Sequence, residues 1–254
     1  MTDPADARLR LVIPCYNESR RLRPDSFLSF VRSRRDTSLL FVDDGSTDAT
    51  GAMLAALSAQ APDRVEVLTL PRNAGKAAAV QNGIARALQR APGLVGYWDA
   101  DLSTPLDALP QFLEVLDTRP RIEIVIGSRV KLLGRHVERN EPRHYLGRVF
   151  ATAASLALGL AVYDTQCGAK VFRASEAVAA AFARPFRSGW VFDVELLARY
   201  VAAVGHDEAR ARIYELPLQE WIEVPGSKVK PWHALEAAWD LARIAVALRR
   251  GCLR

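Results

Sequence analysis

The sequence predicts an α/β fold of three layers, with helices on both faces of a central, mainly parallel sheet. Two observations carry this. Short apolar runs alternate with amphipathic helical patterns through the first half, and those runs barely alternate in polarity. A strand covered on both faces is apolar throughout, whereas one face in water would leave every second residue polar. Strand–helix–strand repetition at this spacing implies right-handed crossovers in an open sheet. Ligands of such sheets bind beyond the carboxyl ends of the strands.

The strands read from the first half are Leu9–Pro14, Leu39–Val42, Val65–Leu70, Leu94–Trp98 and Ile122–Ile126. Three helical stripes lie between them. Ala52, Met53, Ala56 and Leu57 form one, and Val80, Ile84, Ala87, Leu88 and Ala91 the next. Pro92-Gly93 stops the second stripe, and Pro105 precedes the third, which holds Leu109, Phe112, Leu113 and Leu116. From about residue 128 an Arg-rich stretch, Ser128 to Arg148, leads into an apolar helix near Tyr145–Gly159 and a polar turn at Asp164–Lys170. Helices follow at Glu176–Phe182 and Val194–Val204, a strand at Arg212–Leu216, and a C-terminal helix at Trp232–Arg249. With no internal repeat, linker or low-complexity stretch, one domain over residues 1–254 is expected. Its parts would be a half at about 9–127, a second at about 128–230, and the C-terminal helix from 231.

A chain of 254 residues buries a sizeable core. Half the residues are apolar and a quarter charged, which fits a globular protein and excludes a disordered one. The net charge of +5 suits an anionic partner such as a nucleotide or a phospholipid surface; no nucleic-acid motif accompanies it. Cys15, Cys167 and Cys252 are odd in number and lack CxxC spacing, which argues against a zinc site or disulfide framework and for a reducing, cytoplasmic setting. The polar start is no signal peptide. The longest nearly unbroken apolar run, Val149 to Val162, falls short of the roughly 20 residues a spanning helix needs.

Polar residues collect after the strands: Pro14-Cys15-Tyr16-Asn17-Glu18, Asp43-Asp44-Gly45-Ser46-Thr47-Asp48, Arg72-Asn73-Ala74-Gly75-Lys76 and Asp99-Ala100-Asp101. Each alone could be a cap or a turn; together on one sheet edge they describe a site. In extended chain, Asp99 and Asp101 would point to the same side. Two close carboxylates repel unless a cation lies near, and hard oxygens suit Mg2+ or Mn2+. Asp43 and Asp44 are placed to accept hydrogen bonds from a nucleobase or ribose, and Arg72 and Lys76, near a helix N-terminus, to counter a diphosphate.

These motifs, V-I-P-C-Y-N-E, V-D-D-G-S-T-D, N-A-G-K and D-A-D, resemble the nucleotide-sugar half of glycosyltransferase family 2, with its GT-A (Rossmann-like) fold. The second half is similar to dolichyl-phosphate β-glucosyltransferases and, more distantly, dolichyl-phosphate mannose synthases. I-G-S-R (126–129), R-H-Y-L-G-R-V-F (143–150), D-T-Q-C-G-A-K-V-F (164–172) and W-V-F-D-V-E-L-L (190–197) follow in order. The resemblance spans about residues 9–230 and implies an inverting hexosyltransferase. Its donor would be a nucleoside-diphosphate sugar, UDP-glucose favoured over GDP-mannose, and its acceptor a polyprenyl phosphate. It implies Asp101 as metal ligand with Asp99 toward the donor, and Pro14, Tyr16, Glu18 and Asp44 around base and ribose. Arg129, Arg143 and Arg148 would hold the acceptor phosphate, and Gln166, Asp193, Glu195 and Lys228 would shape the sugar and acceptor side.

An anionic phosphate acceptor needs positioning and charge neutralisation more than a base, and arginines supply rigid forks for it. A hydroxyl acceptor on a soluble molecule or glycan would instead require Asp193 or Glu195 as base. A non-catalytic nucleotide-sugar binder would have no use for the acceptor arginines, and a nucleotidyltransferase would carry a Gly-rich, Lys-containing loop near residue 14. Related enzymes carry an N-terminal anchor or C-terminal spanning helices. Neither is read here, so membrane contact is expected to be peripheral, through the 149–162 helix, the basic loop before it or the C-terminal helix with Trp232 and Trp239. Ala169 departs from the aromatic residue frequent in the family.

Overall fold

The computed structural model describes the backbone of residues 7–138, 141–224 and 233–253, and the side chains of these residues except 141–146 and 233–235. In chain order the elements are β1 (Leu9–Cys15), α1 (Pro24–Ser33), β2 (Thr37–Asp43), α2 (Thr50–Gln60), β3 (Val65–Thr69), α3 (Lys76–Leu88) and β4 (Leu94–Trp98). They continue with α4 (Leu109–Thr118), β5 (Ile124–Ser128), β6 (His136–Glu138), α5 (Glu141–Leu158), β7 (Ala169–Arg173), α6 (Glu176–Phe182) and α7 (Phe192–Val204). The chain closes with α8 (His206–Arg212), β8 (Ile213–Pro217), β9 (Glu220–Ile222) and α9 (His233–Arg249). Seven strands form one sheet in the order β3-β2-β1-β4-β7-β5-β8, and β6 pairs with β9 in a small second sheet. The pairs β1–β2, β1–β4, β2–β3 and β5–β8 are all parallel.

The chain divides into two compact units, Met1–Leu102 with Val171–Ala174, and Ser103–Lys170 with Ser175–Arg254. In the first, β1, β2 and β4 are buried almost throughout, as their unbroken apolar runs require. β3 departs from that expectation: only Val65 is buried and Thr69 is exposed, because β3 ends the sheet order and has one strand neighbour. Helix α3 lies on β1 and β2. A Cβ at Gly83 would come within 2.3 Å of Val12 Cγ1 and 2.9 Å of Val42 Cγ2, so hydrogen alone fits there.

Helix α1 is absent from the sequence reading. Its signals are Pro24 at the first turn, Asp25 beside it, and Phe27, Phe30 and Val31 buried at helical spacing. β7 begins within what reads as a polar turn at Asp164–Lys170, and the expected strand at 122–126 begins two residues later. Helix α7 is buried from Phe192 through Val201 and packs against α5, α6 and α9. Among the described residues no helix is long and apolar enough to cross a membrane.

Candidate active site

In the first unit, three strand-end loops are tied together by their own polar side chains. Asn17 donates its backbone N–H to Ser46 Oγ at 3.0 Å, and its Oδ1 accepts from Thr47 N at 2.8 Å. Glu18 N donates to Thr50 Oγ1 at 2.8 Å, and Ser19 Oγ to Asp48 Oδ2 at 2.6 Å. Ser46 and Thr47 therefore lock the loop after β2 to the loop after β1. The N-cap of α2 is Ala49, which makes no side-chain cap.

The acidic pair after β2 is buried and structural. Asp43 Oδ1 accepts from Ser46 N at 3.0 Å. The two oxygens of Asp44 accept from Ala74 N and Gly75 N, each at 2.8 Å, which ties the β3–α3 loop to β2. Burial pushes the Asp44 carboxyl above its ordinary value; the two amides oppose that shift and the neighbouring Asp43 adds to it. The Ala74 and Gly75 N–H groups, just ahead of α3, are thus taken by Asp44, while the side chains of Arg72 and Lys76, expected to counter a diphosphate, are exposed.

Gly45 is what allows this approach. Its φ of +64° is the left-handed region, and an added Cβ would lie 2.6 Å from the Arg72 carbonyl carbon and 2.7 Å from Asn73 N, both backbone atoms. Gly45→Ala is expected to destabilise the protein by about 2–4 kcal/mol through left-handed strain plus displaced backbone, read as a lower urea midpoint with unchanged slope.

After β4 the chain turns instead of staying extended. Leu102 N donates to Asp99 O at 3.2 Å, and Leu102 takes a φ of +54°, a conformation branched side chains rarely adopt. The expectation that Asp99 and Asp101 share one side of a strand is thus replaced by a tight turn that presents both. Lys76 Nζ lies 2.5 Å from Asp99 Oδ1. Arg21 reaches Glu18 Oε1 at 2.5 Å and Asp101 Oδ2 at 3.7 Å. Arg21 was missed from sequence; its three-residue spacing from Glu18 was the available signal. Pro14 and Tyr16 are half-buried at the end of β1. Turn acids at 34% and 21% side-chain exposure, each facing a cation, form an accessible set of hard oxygens.

In the second unit, Arg129 is held by a carboxylate the sequence reading gave no role. Its Nε and Nη2 donate to Asp164 at 2.6 and 2.8 Å, and its backbone N–H adds 3.1 Å. The guanidinium lies over the Trp221 ring at 5.4 Å. Asp164 is positioned in turn by Glu215, whose oxygens accept from Tyr163 N at 2.7 Å and Asp164 N at 2.8 Å. Burial raises the Glu215 carboxyl, the two amides pull it back, and the Asp164 charge adds to the rise. Arg148 stacks on Tyr163 at 3.4 Å and donates to its carbonyl at 3.2 Å. Gln166 donates its backbone N–H to Asp164 Oδ1 at 3.2 Å. The Arg143 side chain and all of Lys228 lie outside the described residues.

Asp193 and Glu195, weighed as bases, are both buried. Asp193 Oδ1 pairs with Lys170 Nζ at 2.6 Å, and Lys170 also donates to Cys167 O at 2.6 Å. Glu195 Oε2 accepts from Arg187 N and Ser188 N at 2.9 and 3.0 Å, while Oε1 pairs with Arg199 at 2.7 Å. Glu195 thereby braces the turn before α7, which departs from its expected place against an acceptor. Among the described residues no cluster of three or more His, Cys, Asp or Glu could hold a metal. Burial pushes the Cys167 thiol up to about 11, with the Arg129 charge opposing. A thiol-specific reagent at pH 8 is expected to modify one thiol quickly, the exposed Cys252, and Cys15 and Cys167 only on unfolding. Three fast thiols in the native protein would contradict this packing.

Comparison with known proteins agrees with the motifs. The family model "Glycosyl transferase family 2" matches residues 11–177. The dolichyl-phosphate beta-glucosyltransferase ALG5C of Trichomonas vaginalis is 32% identical, over 98% of this chain and 74% of that protein. The human dolichyl-phosphate beta-glucosyltransferase is 31% identical, over 99% of this chain and 79% of its own length. Among solved structures, glucosyl-3-phosphoglycerate synthase from Mycobacterium tuberculosis, crystallised with Mn2+, UDP and glucosyl-3-phosphoglycerate, superposes with a TM-score of 0.66. That match is 20% identical and covers 96% of this chain and 80% of that one, so it bears on the fold: GT-A. Motifs, sheet and family model agree that this chain is an enzyme, a member of glycosyltransferase family 2.

Proposed function

We propose that the chain transfers glucose from UDP-glucose to a polyprenyl phosphate of the dolichyl type, with inversion at the anomeric carbon. The observation that carries this reading is the near full-length similarity to dolichyl-phosphate beta-glucosyltransferases. The buried state of Asp193 and Glu195 supports it physically. Each is held by cations or amides inside the second unit, a poor setting for removing a proton from a hydroxyl acceptor. A phosphate acceptor is already anionic and needs no base. One of its oxygens forms the new bond to the anomeric carbon while the bond to the diphosphate breaks, and the nucleoside diphosphate departs with that electron pair.

The turn after β4 fits a divalent cation: Asp99 and Asp101 would hold Mg2+ or Mn2+, which commonly takes one or two carboxylates and completes its shell with phosphate oxygens and water. When bound, the ion supplies charge stabilisation for the departing diphosphate. Lys76 and Arg72, exposed beside α3, would take phosphate oxygens on the donor. Arg129 and Arg148 would meet the acceptor phosphate with donors fixed by Asp164 and Tyr163.

The test is transfer of label from UDP-glucose or GDP-mannose, with Mn2+ and a short polyprenyl phosphate. Label from UDP-glucose alone should enter the organic phase, in an acid-labile product. Label only in water-soluble product would overturn the acceptor assignment, and label from GDP-mannose alone the donor.

A further inference from the structure

The outer face of two packed helices in the second unit is unusually apolar for a surface. On α5 the buried stripe is Ala151, Ala154 and Leu158. The opposite face, Val149, Thr152, Ala153 and Leu156, is exposed and carries no charge. Val149 and Leu156, two turns apart, are 69% and 75% exposed. Thr152 donates its hydroxyl to Arg148 O at 2.9 Å, so its only polar side-chain group is satisfied within the helix. Helix α9, which packs on α5 and α7, repeats the arrangement. Ala237, Leu241 and Ile244 are buried, while Trp239 and Val246, again two turns apart, are 68% and 47% exposed on the other side.

Arg243 on the same side of α9 pairs with Asp240 at 3.7 Å, Arg249 at the helix end and Arg250 after it are exposed, and from Leu241 to Leu253 there is no acidic residue. Apolar side chains interleaved with arginines, with Trp239 among them, match an interface between water and anionic lipid. The aromatic ring and the alkyl stems enter the headgroup layer while the guanidinium groups meet phosphates. An anionic bilayer supplies the counter-charge that the segment Leu241–Leu253 itself lacks for Arg249 and Arg250.

We propose that the outer faces of α5 and α9 form a docking surface for an anionic lipid bilayer, seated peripherally through Val149, Leu156, Trp239 and Val246 and steered by Arg249 and Arg250. This deepens the proposed transfer to a lipid acceptor by naming the surface that meets the membrane. Docking is measured separately from transfer, by co-sedimentation with vesicles of phosphatidylcholine alone or mixed with phosphatidylglycerol, neither containing polyprenyl phosphate.

The wild-type protein should partition onto the mixed vesicles, less so at high salt. Val149→Ser/Leu156→Ser and Trp239→Ala should each lower partitioning about tenfold. Arg249→Gln/Arg250→Gln should lower it about tenfold on mixed vesicles and leave the residual binding to neutral ones unchanged. All three should keep the wild-type circular dichroism and their transfer to a short, water-soluble polyprenyl phosphate. Failure of the wild type to bind any vesicle, or equal binding by all variants, would sink the docking surface. So would a dimer in solution that Val149→Ser/Leu156→Ser converts to monomers, since the face would then belong to a second copy. Vesicle binding without any transfer would overturn the acceptor assignment and leave the docking surface standing.

Discussion

Asp101→Asn is expected to lower turnover at saturating donor by at least a hundredfold while leaving the fold intact. The carboxylate sits on the turn after β4 at 21% exposure, with the Arg21 guanidinium at 3.7 Å, so the amide replaces it without opening a cavity. What disappears is a negative charge at the place where a divalent cation and a diphosphate would meet. Removing one preorganised electrostatic contact of this kind costs about 3–4 kcal/mol of transition-state stabilisation, or two to three powers of ten in rate. The loss should appear in kcat and in kcat/KM together, the signature of an interaction made mainly in the transition state. Thermal unfolding should shift by no more than about 2 °C. Wild-type turnover in this variant would remove Asp101 from the chemistry.

Breaking the Lys170–Asp193 pair should give the largest loss of stability. Lys170 is fully buried and Asp193 nearly so, with 2.6 Å between the charged atoms. Asp193→Ala leaves an ammonium in the interior that still donates to the neutral Cys167 carbonyl but has lost this carboxylate, and stranding a buried charge costs about 3–5 kcal/mol. For a chain of this length that corresponds to a melting temperature lower by roughly 10 °C. The paired replacement Lys170→Met/Asp193→Leu removes both charges and keeps apolar volume, so it should recover most of the loss. Urea unfolding of the two variants separates these outcomes. If Asp193→Ala unfolds like the wild type, the pair does not hold β7 to the start of α7.

The strand ends and their polar loops were legible because burial on both faces demands unbroken apolar runs, and Leu9–Cys15, Thr37–Asp43 and Leu94–Trp98 obey that demand. β7 was not legible. Lys170 inside it reads as a solvent-exposed residue, and in the fold its buried ammonium meets the carboxylate of Asp193, twenty-three positions away. β3 misled in the opposite sense: its run is apolar enough for an interior strand, yet it ends the sheet. The acidic pair Asp43-Asp44 reads as ligand-binding chemistry, and nothing local in the sequence shows that its carboxylates also accept from the backbone of neighbouring loops.

By itself the sequence determined the α/β class, the strand-end motifs and the family, because periodicity and short motifs are local properties of the chain. Partnership was decided only in three dimensions. Arg129 against Asp164 and Arg21 against Asp101 are pairings of charges far apart in sequence, and Glu195 accepts from two backbone amides of the turn before α7. A charged side chain carries no local mark of whether it will face a ligand or a buried counter-charge. The energy of each choice depends on desolvation and on which group the folded chain brings within a few ångströms.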